Sequence, residues 1–100
     1  MRQDTIVIAG ELTIYQVADI RLQMQQVLNG VDGSDAIALD LGNVSECDGA
    51  GLQLLLVFAR AVTALGSAVV LTAASAVIND LLAEYGLADR FVCQPAGGAA

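Results

Sequence analysis

The sequence of 100 residues contains no histidine, no lysine and no tryptophan. Without histidine or lysine, the chain cannot form the Ser-His and Ser-Lys pairs that activate a hydroxyl nucleophile. It also lacks the Gly-x-x-x-x-Gly-Lys loop that binds phosphates. The two cysteines, Cys47 and Cys93, cannot fill the four positions of a structural zinc site. We therefore expect a protein that is not an enzyme and has no metal or other cofactor. Both cysteines are expected to be small core residues in a reducing compartment, and the alternative is a redox or intermolecular disulfide role.

Positive charge is scarce as well, because four arginines are outnumbered by eleven acidic residues and the net charge is −7. Such a surface repels the phosphates of nucleic acids and favours a basic patch on a protein partner. The apolar fraction is 56%, but the apolar segment 49–65 contains Gln53 and Arg60 and is shorter than the roughly 20 residues of a membrane span. The N-terminus does not have the layout of a signal peptide. These features predict a cytoplasmic protein that neither binds nucleic acid nor inserts into a membrane.

Alternating strand and helix patterns predict one α/β domain over residues 1–94 and a flexible tail over 95–100. We expect strands at 5–9, 36–41, 68–72 and 91–93, with Gly10 ending the first and a short strand or helix lead at 12–14. A helix with one apolar face is expected from about Ile14 to Leu28, a largely apolar one over 49–65, and a third capped by Ser75. The expected fold is a mixed, mostly parallel sheet of four or five strands packed with about three α-helices.

Residues 40–55 carry the most informative pattern. Asp48 can accept hydrogen bonds from the first amides of the following helix, so we expect it to be the N-cap. The small residues Gly49, Ala50 and Gly51 leave those amides uncovered, which suits an anion or a closely approaching partner, or simply lets the turn pack. Asp40, Glu46 and Asp48 could together hold Mg²⁺. The better explanation is that Asp48 caps the helix, Asp40 bonds loop amides and Glu46 is solvated.

The pattern Asp-Leu-x-x-Val-x-x-Cys-Asp-x-x-Gly-Leu-x-x-Leu, from Asp40 to Leu55, resembles the signature of STAS domains. The name stands for sulfate transporter and anti-sigma factor antagonist. Segments 10–12 and 88–89 extend the resemblance over most of the chain. It also implies that the first helix starts nearer position 16 than its apolar pattern indicates. In many such antagonists the turn reads Asp-Ser-Ser-Gly or Asp-Ser-Thr-Gly, and a partner kinase phosphorylates the second hydroxyl.

Carried over to this sequence, the resemblance assigns the cap aspartate to Asp48, the first hydroxyl position to Gly49, the phosphoacceptor position to Ala50 and the glycine to Gly51. Ala50 cannot carry a phosphate. A partner-switching protein of this kind would be held in its unphosphorylated form or switched elsewhere. Ser45 and Thr13 are the nearby hydroxyls, although isolated loop hydroxyls are usually cap and turn residues.

The resemblance further implies a docking surface for a partner protein, formed by Asp48, Gly49, Ala50, Gly51, Gln53 and Glu11. The expected partner is an anti-sigma factor or kinase-like protein, or a chemotaxis signalling protein. The alternative is the ATPase of a phospholipid-type ABC transporter, to which similar small STAS proteins bind. A third possibility is a small-molecule sensor that uses the apolar helix as a pocket wall. The sequence carries no signal for the oligomeric state.

Overall fold

A computed structural model describes residues 3–30, 36–87 and 91–93. The strands are β1 (Gln3–Leu12), β2 (Ala36–Cys47), β3 (Ala68–Ala74) and β4 (Val92–Cys93), and the helices are α1 (Val17–Asn29), α2 (Gly49–Ala64) and α3 (Ala76–Glu84). Their alternation confirms the predicted single α/β domain with three helices. Segments 88–89 and 94–100 lie outside the described residues, so the domain limit at 94 and the tail stay predictions.

The strands follow the order β1-β2-β3-β4, and every pair that the structure describes is parallel. The predicted mixed sheet is therefore wrong for this part of the chain. Within it there are three strands of seven residues or more, rather than the four or five expected, and β4 adds two residues at one side. Helical crossovers explain the parallel arrangement, because neighbouring parallel strands cannot be joined by a tight hairpin.

β1 and β2 both extend further than the sequence pattern predicts. Gly10 does not end β1, and no separate strand forms at 12–14, because β1 continues to Leu12. The register of β1 against β2 shifts on both sides of Gly10, whose φ of +82° suits glycine. Because this irregular pairing continues, β2 does not end at 41 as predicted, and residues 43–47 form part of it.

α1 begins later than its apolar pattern suggests. Residues 13–16 form a turn, and the helix starts at Val17. Met24 is buried, and Ile20, Val27 and Leu28 are partly buried against the core. Ile14 was expected on this buried face, but it precedes the helix and is 63% exposed. Its place in the turn, outside the helical periodicity, accounts for the error.

α2 matches its predicted limits closely, and α3 begins directly after its predicted cap. α2 buries six residues (Gly51, Leu52, Leu55, Phe58, Ala59 and Val62), and the chain leaves it through Gly66 at a φ of +88°. The Ser75 hydroxyl accepts a hydrogen bond from the amide of Ile78 at 3.3 Å, which confirms its predicted role as the cap of α3. α1 and α2 contact one another and the sheet. Each helix in the described residues is too short or too polar to cross a bilayer.

Candidate functional site at the start of helix α2

Asp48 joins the start of α2 to the start of α1. One carboxylate oxygen, Oδ1, accepts a hydrogen bond from the amide of Gly51 at 2.9 Å, which confirms the predicted N-cap. The other oxygen, Oδ2, accepts from the amide of Ile14 at 3.0 Å. The Gly51 amide first, and then the Ile14 amide, hold the pKa of Asp48 below its ordinary value. A single ionised side chain therefore connects two segments that lie 34 residues apart.

Gly51 brings the first turn of α2 into direct contact with the end of β1. A Cβ atom on Gly51 would overlap the carbonyl oxygen of Leu12 and lie 2.8 Å from the Leu12 Cγ. The same carbonyl accepts a hydrogen bond from the amide of Asp48 at 3.4 Å. Glycine is required at 51 because the backbone of another element occupies the space of a side chain.

The other small residues of the turn have different surroundings. A Cβ atom on Gly49 would meet nothing within 4 Å. Ala50 is partly buried, and Gln53 is exposed. The packing explanation for small residues therefore applies to Gly51 but not to Gly49, and the outer side of the turn is open to close approach.

Glu11 lies at the end of β1, directly before the Leu12 that contacts Gly51. It pairs in register with Glu46 on β2, and both side chains are exposed. Glu11 Oε1 accepts a hydrogen bond from Gln16 Nε2 at 3.5 Å. The structure thus brings the six residues predicted for docking to one end of the sheet, where Glu46 adds a further acidic group.

Of the three carboxylates considered for Mg²⁺, two accept hydrogen bonds from backbone amides and the third is exposed to solvent. Both oxygens of Asp48 bind amides, Asp40 Oδ1 accepts from the amide of Gly42 at 3.0 Å, and Glu46 is exposed. Within the described residues, no group of three or more His, Cys, Asp or Glu side chains could hold a metal ion. Backbone amides thus occupy both oxygens of Asp48 and one oxygen of Asp40.

Cys47 carries a partly buried free thiol beside this cap. Burial, and then the negative charge of Asp48, raise the pKa of Cys47 from 9.0 to about 11. The thiol is therefore protonated at neutral pH, whereas a reactive cysteine needs the thiolate. This supports its interpretation as a small core residue, and the side chain of Cys93 lies outside the described part of the structure.

A groove between α1 and α2, which the sequence did not predict, begins at this turn. Its volume is about 490 Å³, and its apolar lining consists of Ile14, Val17, Ala18, Ala50, Leu54 and Val57. Arg21 and Gln53 contribute the polar part of the lining. Val57 is 53% exposed, so the groove is an apolar surface open to solvent. The apolar character of nearly the whole circumference of α2 was the signal that could have located it.

Two solved structures share this fold. One is the anti-sigma factor antagonist SpoIIAA in its unphosphorylated form, with a TM-score of 0.73, 21% identity and coverage of 99% of this chain and 87% of SpoIIAA. The other is a sulfate transporter family protein from Wolinella succinogenes, with a TM-score of 0.72, 20% identity and coverage of 97% and 80%. At such identities the likeness shows the fold alone.

The sequence itself matches the family model described as "Mlab, STAS domain" over residues 2–93. The chain therefore belongs to the STAS domain family, as the pattern at 40–55 predicted. No curated protein matches the sequence.

Proposed function

We propose that this STAS domain is a non-catalytic protein–protein interaction module that docks on an anti-sigma factor or another kinase-type or chemotaxis signalling partner. The docking surface consists of Asp48, Gly49, Ala50, Gly51, Gln53 and Glu11. The main support is the environment of Gly49. A side chain would fit there without touching the rest of the protein, so internal packing does not explain the glycine. A partner could therefore approach the backbone at the start of α2 closely.

Ala50 is the position at which this module would differ from a phosphorylated antagonist. A phosphate on a hydroxyl there would add about −1.5 to −2 charges next to an end of the sheet that already carries Glu11 and Glu46. The methyl group of Ala50 cannot accept a phosphate, so the module stays in its binding form. Thr13 already donates its hydroxyl to Gln16, and Ser45 is an exposed residue of β2.

The alternative is a STAS subunit bound to the ATPase of a phospholipid-type ABC transporter. The matching family model and the structural neighbour are described differently, as Mlab and as an anti-sigma factor antagonist. Both functions would use a protein partner, so the identity of that partner separates them.

Affinity capture from a lysate of the source organism tests the proposal with three baits: wild type, Ala50→Glu and Ala64→Glu. The two variants add the same charge to opposite ends of α2, since Ala64 is its exposed last residue. We expect wild type and Ala64→Glu to retain an ATPase-like anti-sigma factor or a signalling kinase, and Ala50→Glu to lose it. Retention by all three baits would contradict docking at this surface. A transporter ATPase as the retained protein would establish the alternative.

A further inference from the structure

The groove between α1 and α2, defined above by its lining, continues past the proposed docking surface. A second depression of about 130 Å³ shares Arg21, Leu54 and Val57 with it and reaches Leu28 and Ala61. The lining advances along both helices in the same direction, from Val17 to Leu28 and from Ala50 to Ala61. Eleven residues of α-helix correspond to about 16 Å, so the groove has the length of three helical turns.

Arg21 lies in the middle of this apolar lining and lines both depressions. Its guanidinium forms no hydrogen bond or ion pair with any part of the chain that the structure describes. The whole chain has a net charge of −7, so an unpaired guanidinium on an apolar surface is a local exception. A guanidinium binds a carboxylate through two parallel hydrogen bonds, and the apolar surroundings strengthen such a pair.

We propose that the groove binds an amphipathic helix of the partner, with aliphatic or aromatic side chains on Leu54 and Val57 and one carboxylate on Arg21. This rests on the proposed function, because the groove begins at Ala50 and would make the same partner contact both surfaces. The occupant is a helix because α1 and α2 run in the same direction, and the side chains on their surfaces form ridges and grooves against which a third helix can pack. An extended strand would find no free strand edge between them to pair with.

The charge arrangement sets the orientation of the partner helix. Glu11 and Glu46 are paired at the end of the sheet where Asp48 caps α2, so we expect basic residues of the partner near the Ala50 end of the groove. Its carboxylate follows one to two turns further along, opposite Arg21. Acidic and basic residues on the partner helix thus occupy different turns, and the groove selects one direction of binding.

A displayed library of helix-forming peptides, 14 residues long and randomised on one face, tests this without the natural partner. The baits are wild type, Arg21→Glu and Arg60→Glu. The last is a matched control, because Arg60 is exposed on α2 but lies outside the groove lining. We expect wild type and Arg60→Glu to enrich aspartate or glutamate at one position, and Arg21→Glu to enrich lysine or arginine there.

The binding constants and binding site of the enriched peptides complete the test. We expect Arg21→Glu and Val57→Glu each to weaken an acidic peptide about tenfold, and amide NMR shifts to map to 14–21 and 53–57. The proposal would be overturned if no peptide were enriched or if an acidic peptide bound wild type and Arg21→Glu equally well. Amide NMR shifts outside 14–21 and 53–57 would also overturn it. A concentration-dependent dimer that Val57→Glu dissociates would show that a second copy of the chain fills the groove. If Ala50→Glu releases the natural partner but no peptide is enriched, only the groove proposal fails. If peptides are enriched but Ala50→Glu retains the natural partner, only the proposal of docking at Ala50 fails.

Discussion

α2 and α3 begin in similar ways but differ in what their capping side chains hold together. Each helix follows a parallel strand after one capping residue, and each cap accepts a hydrogen bond from the amide three positions later. At α3, Asn79 Nδ2 additionally donates to the carbonyl of Ala74 at 3.3 Å, which is again a local contact. At α2, the second oxygen of Asp48 binds Ile14 in the turn before α1.

Cap chemistry alone therefore does not distinguish the proposed docking surface from an ordinary helix start. α2 is distinguished by Gly51, which fits against the backbone of Leu12, and by Gly49, which adjoins open space. Because the inner side of the turn is tightly packed and the outer side is bare, the open surface is held in a fixed position. A rigid, uncovered surface loses little entropy when a partner binds.

The largest expected effect comes from Gly51→Ala. Its methyl group would overlap the backbone of Leu12, so we expect the free energy of unfolding to fall by about 3 kcal/mol, the upper part of the range for overpacking. The corresponding fall in Tm is roughly 15 °C for a domain of this size.

Gly49→Ala is the matched control, because its methyl group meets open space. It should raise the free energy of unfolding by about 0.5 kcal/mol, through lower entropy of the unfolded chain. Urea unfolding of both variants makes the comparison. Equal effects of the two substitutions would contradict the inner and outer sides assigned to the turn.

A smaller effect is expected from Asp48→Asn. The Asn side chain has a single oxygen, whereas the two oxygens of Asp48 accept hydrogen bonds from two backbone amides. In Asp48→Asn the side-chain NH₂ group would therefore face the N–H of Gly51 or Ile14, and one hydrogen bond would be lost. The folded pKa of Asp48 is lowered from 3.8. Its charged form therefore stabilises the fold above the unfolded pKa, and this contribution is lost as the pH falls through the folded pKa. We expect the gap in unfolding free energy between wild type and Asp48→Asn to be full at pH 7 and to shrink below pH 3.8.

Ser75→Ala provides the reference at the start of α3, where the capping hydroxyl bonds, among the described residues, only the amide of Ile78. Loss of this neutral cap should cost about 1 kcal/mol with no change in pH dependence, because a hydroxyl does not titrate in this range. Urea unfolding from acidic to neutral pH measures both variants. A constant gap for Asp48→Asn across that range would mean that its charge contributes nothing to the fold.

The features that the sequence predicted correctly depend on neighbouring residues. Asp48 and Gly51 are three positions apart, as are Ser75 and Ile78, so cap and helix could be recognised together. The STAS signature also consists of residues that are close together in the sequence, at 40–55, and the family match confirms it. The predicted partner-binding role of Asp48, Gly49, Ala50, Gly51, Gln53 and Glu11 stays a prediction.

The features that the sequence did not predict depend on distant segments. The irregular extension of β1 and β2 arises from pairing of residues 9–12 with 43–47. Ile14 is exposed because Asp48 holds its amide in a turn outside α1. The groove needs two helices side by side, and no spacing within one helix shows how far another lies from it.

The smallest expected effect concerns Cys47, whose reactivity reports on the charge of the cap. In a Cys93→Ser background, a disulfide reagent should modify Cys47 slowly at pH 8 and faster as the pH approaches its pKa of about 11. Burial is the main cause of this raised pKa, and the charge of Asp48 is the second. Asp48→Asn should therefore shift the pH profile of modification slightly downward while leaving its midpoint above the ordinary value of 9.0.

Glu46→Gln is the control, since it removes the exposed charge of the residue that precedes Cys47 in the sequence. It should leave the pH profile of Cys47 modification unchanged. An unchanged profile in Asp48→Asn would show that the carboxylate does not act on the thiol. Rapid modification of the wild-type thiol at pH 8 would instead show that Cys47 is accessible as a thiolate, and a redox role at the start of α2 would then need to be considered beside docking. Slow modification that only the Asp48 substitution alters would mean that Cys47 senses the same charge that joins α2 to α1, and that the thiol is a probe of this junction rather than a second reactive site.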